Sequence, residues 1–84
     1  MKTTVLDYKR LNNSVNGNPR YEFRFLKLGY AKTESDAGWV YALTPYDLVG
    51  KEVDIEYRTT PTGRIVLEDL QEVQQWLKQW RRKN

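Results

Sequence analysis

"RYEFRFLKLGY" spans residues 20–30, and where it is divided decides which fold the chain can make. Tyr21, Phe23 and Phe25 alternate with Glu22 and Arg24, the period-2 pattern of a strand that lays one face on a core. After Phe25 the phase flips, so that Leu26, Leu28 and Tyr30 become the apolar positions and Lys27 the polar one. A flip inside a long strand is what a β-bulge or a sharp bend produces, and Gly29 relieves the steric strain of bending. The expectation is one long, bent second strand.

Upstream, "TTVLDYKR" (3–10) alternates more weakly, with Leu6 and Tyr8 on one face and Asp7 and Lys9 on the other, as a first strand. Between the two strands lies "NNSVNGNP" (12–19), whose Asn16-Gly17 pair suits a tight turn with positive φ. A tight turn needs only about two residues. The surplus length, beside Arg10 and Arg20, marks a place to look for a partner.

Downstream, "KTESDAG" (32–38) is a polar connection in which Asp36 is expected to bond its own backbone. Trp39, Tyr41 and Leu43 then alternate with Val40 and Ala42 as a third strand. "TPYDLVG" (44–50) reads as a short helix near 45–49: Thr44 caps, Pro45 takes the first helical position, Asp47 completes a capping-box-like pair and Gly50 closes the turn. "KEVDIEYRT" (51–59) is a fourth strand, "TPTG" (60–63) a hairpin turn and "RIVLED" (64–69) a fifth strand. The period then changes. Leu70, Val73, Trp76, Leu77 and Trp80 fall within an arc of roughly 120°, with acids at the start and basic residues at the end, which predicts a C-terminal amphipathic helix over 69–84.

Three strands, a short helix and two more strands make a mainly β fold. The expectation is a small five-stranded antiparallel barrel over 1–68, OB-like in preference to SH3-like, with the C-terminal α-helix packed on it as part of the same domain. An open antiparallel sheet capped by the helix is a third arrangement. At 84 residues the chain makes one domain that buries roughly 60% of its unfolded surface. No apolar run approaches the roughly 20 residues that span a bilayer, and charges break the first ten positions, so a soluble cytoplasmic protein is expected, without a membrane partner.

The chain has no histidine and no cysteine. Ser-His and Cys-His nucleophiles, thiol redox chemistry and ordinary zinc sites are therefore excluded, and no phosphate-cradling glycine loop is present. Glu52, Asp54 and Glu56 share one side of the fourth strand, where a hard-cation site or an acid/base group is the sharp reading and cross-strand pairing with Arg24, Lys27 or Arg64 the ordinary one. No cofactor, metal site or catalytic residue is expected.

The formal charge of +3 conceals a division. Residues 1–32 carry +5, residues 33–73 carry −6 and residues 74–84 carry +4. Barrels that hold single strands combine a positive groove with aromatic stacking platforms. Here Tyr21, Trp39 and Tyr41, with Phe23, are candidate platforms, and Arg10, Arg20, Arg24 and Arg64, with Lys27, are candidate phosphate contacts. The competing reading places the strand aromatics in the core. In the tail, Trp76 and Trp80 pack the helix on the barrel, anchor a partner or a second copy, or lie at a membrane interface.

"NGNPRY" (16–21), "TESDAGWVY" (33–41) and "GRIVLED" (63–69) together resemble small proteins of bacteriophages and their bacterial hosts. In those an N-G-N-P-[RK]-aromatic turn, a T-x-S-D-A segment and a closing G-R-I strand recur in that order. The likeness spans about 50 positions, and the chain departs from it at "TPYDLVGK" and in its tryptophan-bearing tail. It implies a phage or mobile-element accessory protein and no catalytic residue. The expected function is a non-enzymatic binding module, for single-stranded nucleic acid by preference. The alternative is a module that binds a host or phage protein through the acidic centre or the C-terminal helix.

Overall fold

The computed structural model describes residues 1–34 and 36–73. Five strands, β1 (Lys2–Leu11), β2 (Arg20–Phe25), β3 (Gly29–Thr33), β4 (Glu52–Thr59) and β5 (Ile65–Glu72), close into a barrel in the order β1-β2-β3-β5-β4. All neighbours are antiparallel except β3 and β5, which run parallel, and β4 returns to pair with β1.

The stretch at 20–30 is two strands and not one bent one. Leu26, Lys27 and Leu28 form a three-residue hairpin loop, and Gly29 follows it at φ +86°, the left-handed conformation such loops require. The loop is pinned to β1, where the Lys27 amide donates to Thr3 Oγ1 at 3.0 Å and the Leu26 amide to the Thr4 carbonyl at 2.9 Å. The phase flip thus marks a chain reversal: Phe23 stands opposite Ala31 facing inward, and Arg24 opposite Tyr30 facing outward.

With β3 made at Gly29–Thr33, the segment around Trp39 is no strand. It is a 3-10 helix, Gly38–Ala42. β3 ends beside the start of β2, whereas β4 begins beside the start of β1, so the connection must travel the length of the barrel. Ala37, Val40 and Leu43 turn inward along it at a spacing of three residues, the 3-10 period. The short helix α1 (Pro45–Leu48) forms where expected and buries Pro45 and Leu48. Gly50, at φ +86°, then donates to the Val5 carbonyl at 2.7 Å and delivers the chain to β4.

The expected boundary between barrel and C-terminal helix at 68/69 falls inside β5. Glu68 is the extra residue of a β-bulge, because Asp69 pairs with Glu56 and Leu67 with Tyr57. Beyond it Leu70 faces Ile55 in the core and Glu72 pairs with Val53. β4 offers backbone partners as far as Glu52, whose carbonyl accepts from the Val73 amide at 3.1 Å, and that ladder outweighs the helical periodicity of residues 69–73. The remainder of the expected helix, with Trp76 and Trp80, lies outside the described residues.

The core holds Val5, Phe23, Phe25, Ala31, Leu48, Val53, Ile55, Leu67 and Leu70. A bulge between Val5 and Asp7 turns Tyr8 inward and leaves Leu6 out, so these two do not share a face. Along the inner wall Tyr8, Tyr21, Phe23 and Phe25 form a continuous aromatic series with centroids 5.7–6.1 Å apart. Among the described residues, no helix is long and apolar enough to cross a membrane.

Candidate nucleic-acid interface

The long loop between β1 and β2 uses its polar residues internally. Gly17, at φ +81°, donates to the Ser14 carbonyl at 2.9 Å, and the Asn18 amide donates to Ser14 Oγ at 3.0 Å. The Ser14 hydroxyl and the Asn18 side-chain amide then donate to Asp36 Oδ1 at 2.9 and 2.7 Å, and the Asn16 amide donates to Oδ2 at 2.5 Å. Asp36 is therefore clasped by the loop, and among the described residues its carboxylate takes no bond from its own backbone. The Asn16, Asn18 and Ser14 donors hold its carboxyl below the ordinary value, in that order of effect. The surplus length of the bend is consumed in reaching the connection between β3 and the 3-10 helix.

Beside this clasp, Arg10 stands opposite Tyr21 in the ladder, and its guanidinium lies 5.2 Å over the Tyr21 ring. It also donates to Asn13 Oδ1 and, at 3.4 Å, to the Arg20 carbonyl. Tyr21 packs edge-on against Tyr8 and is part of the inner wall, not an open platform.

The outer surface of β2 and β3 is different. Cross-strand pairing sets Asp7, Arg24 and Tyr30 in one row, and Lys9, Glu22, Lys32 and Val66 in the next. Directly opposed residues share a face of the sheet. Arg20 begins β2 on the same side, two residues before Glu22. The loop between β4 and β5 folds over the end of this face: Gly63 sits at φ +83°, and the Arg64 amide donates to Thr60 Oγ1 at 3.1 Å. Glu22, Tyr30, Lys32, Gly63, Arg64 and Ile65 together line a shallow groove of about 300 Å³. Tyr30 is 62% exposed there. Among the described residues, the ion pair on this face is Arg24 with Asp7, at 3.1 Å.

The residues singled out from the sequence therefore part company. Arg20, Arg24 and Arg64 are brought to the outer β2–β3 side, whereas Arg10 is engaged at the mouth of the barrel. Trp39 is half-buried against the core, and Tyr41, 71% exposed, rides on the 3-10 helix and is absent from the groove lining. Tyr30, Lys32 and Lys9 are the additions. Dividing 20–30 at the Leu26-Lys27-Leu28 turn, with Gly29 as its left-handed residue, would have placed Tyr30 and Lys32 opposite Arg24 and Glu22.

On β4, Glu52, Asp54 and Glu56 do point outward together. Their neighbours are β1 and β5, so the expected pairing with Arg24, Lys27 or Arg64 does not form. Asp54 instead receives the Met1 amine at 3.3 Å, and Glu56 stands directly opposite Asp69. Among the described residues, no three carboxylates gather in a metal-holding arrangement. Arg58, at the far edge, is taken up by Glu34 at 2.5 Å and Glu68 at 3.6 Å.

The chain matches no family model, no curated protein and no solved structure.

Proposed function

We propose that this chain is a non-enzymatic binding module, with a barrel of the OB type, that holds single-stranded nucleic acid across the outer face of β2 and β3. The strand order, the parallel contact of β3 with β5 and the helix between β3 and β4 support the OB reading over an SH3-like one. OB barrels bind oligonucleotides on the face of strands 2 and 3, between the 1–2 and 4–5 loops. The observation that carries the reading is the groove itself, where exposed Tyr30 lies with Lys32 and Arg64, and Arg24 stands opposite Tyr30 on the neighbouring strand. Phosphates would engage these cations and those of Lys9 and Arg20, while a base stacks on the Tyr30 ring. The likeness of the turn motifs to phage and phage-host proteins supports a mobile-element setting in the cytoplasm.

Fluorescence anisotropy with a labelled single-stranded octamer tests this at low salt. With about four phosphates engaged, log affinity should fall against log salt with a slope near −3. Absence of binding at low salt would overturn the reading. The second reading, a protein-interaction module, would then stand on the acidic side of the barrel, where Glu56 opposes Asp69 and neither forms an ion pair among the described residues.

A further inference from the structure

Glu22 is out of place on a surface built only for phosphate. It is half-buried, stands directly opposite both Lys9 and Lys32, and lines the groove beside Tyr30. Among the described residues it forms no ion pair. A carboxylate in that position repels a backbone phosphate, and although it tempers the two lysines opposite it, it closes an ion pair with neither. It does offer two adjacent acceptors to whatever rests on Tyr30.

We propose that Glu22 reads a guanine, accepting hydrogen bonds from the guanine N1–H and exocyclic amino group while the base stacks on Tyr30. This rests on the reading that the face holds single-stranded nucleic acid, and it names the base. Glu22 and Tyr30 are diagonal neighbours on the ladder, and such positions lie about 7–8 Å apart. Aromatic and long side chains reach one another across that span, so a base stacked on the Tyr30 ring comes within reach of the Glu22 carboxylate in the groove that both line. Guanine is the one standard base whose Watson–Crick edge presents two donors side by side. Adenine and cytosine each set a ring-nitrogen acceptor beside their single amino group, which would face the second carboxylate oxygen. Thymine and uracil hold one N–H between two carbonyl oxygens. In a duplex this edge is occupied, so the selection applies to unpaired guanine. Lys9, Lys32 and Arg64 then hold the flanking phosphates that Glu22 would otherwise repel.

The test compares labelled dT octamers, all-dT or carrying one central dG, dA, dC or deoxyinosine, on the full chain at low salt. The dG octamer should bind about tenfold tighter than all-dT, as one bidentate contact supports, with deoxyinosine between them because it lacks the amino group. Glu22→Gln should bind all-dT as well as or better than the native chain and lose the preference for dG, while a thermal melt confirms that the variant is folded. Equal binding of all octamers by the native chain would overturn the assignment of guanine and leave the nucleic-acid reading standing. So would a dG preference that survives Glu22→Gln. Failure of every octamer to bind would overturn both readings together.

Discussion

The mouth of the barrel and the outer face of β2–β3 are built from the same kinds of residue, a few positions apart, and use them in opposite ways. At the mouth, Arg10, Asn13, Ser14, Asn16, Asn18 and Asp36 satisfy one another, and Tyr21 lies beneath the Arg10 guanidinium. On the face, Lys9, Lys32 and Arg64 reach toward solvent, and Tyr30 has no aromatic partner among the described residues. A polar, aromatic segment is therefore not by itself a site. What separates the two regions is whether the hydrogen-bonding capacity of the segment is met inside the protein or left exposed.

The comparison breaks most easily at its tyrosines. Tyr21→Ala should remove about 2–3 kcal/mol of stability, because it opens a gap between Tyr8 and Phe23 and leaves Arg10 without its ring. For a domain of this size that lowers the melting temperature by roughly 10 °C or more. Thermal unfolding followed by circular dichroism measures it. A variant that melted normally but no longer bound oligonucleotide would return Tyr21 to the role of a stacking platform.

Tyr30→Ala should do the reverse. Loss of one stacking ring weakens octamer binding about tenfold, while removal of an exposed side chain leaves the melting temperature close to native. Arg64→Ala sharpens the electrostatic half of the contrast with a smaller effect. It should flatten the salt dependence by about 0.7, the share of one phosphate contact on a single strand. A salt slope unaltered by Arg64→Ala would place the phosphates away from the 4–5 loop.

These residues show what could be seen in the sequence and what could not. The inward alternation of Phe23 and Phe25, the strand at 52–59, the turn at 60–63 and the helix at Pro45–Leu48 depend on local period and turn chemistry, and they form where those rules place them. The division of 20–30 was ambiguous because a bulge and a three-residue hairpin shift the apolar phase alike. Choosing between them requires knowing that β3 pairs with β5, which is a contact between distant segments. With Tyr30 assigned to one bent strand, the alternation of Trp39 and Tyr41 is what remains for a third strand and its platforms. Likewise Leu70 and Val73 fit a helical arc, and only the open ladder of β4 decides for strand. The outward positions of Arg24 and Arg64 are legible because the one alternates outward and the other sits in a turn. Tyr30 and Lys32 were hidden by the same misplaced boundary.

The smallest effect belongs to the clasp, and it turns on pH. The donors from Asn16, Asn18 and Ser14 lower the carboxyl of Asp36 below its ordinary 3.8 in the folded state. A group depressed by folding stabilises the fold at every pH above its unfolded value, and that contribution is lost as pH falls through the lower, folded value. Asp36→Asn keeps the shape but removes the charge that the three donors favour. The variant should therefore melt slightly below the native chain at neutral pH, solvent screening keeping the effect small, and the gap should narrow once pH drops below 3.8 and the native carboxyl itself takes up a proton. Native-like melting of the variant at neutral pH would mean that the three donors contribute nothing to the fold through this carboxylate. In that case the 1–2 loop would share with the face a set of polar groups not committed to the fold, and the contrast between the two regions would fail at this point.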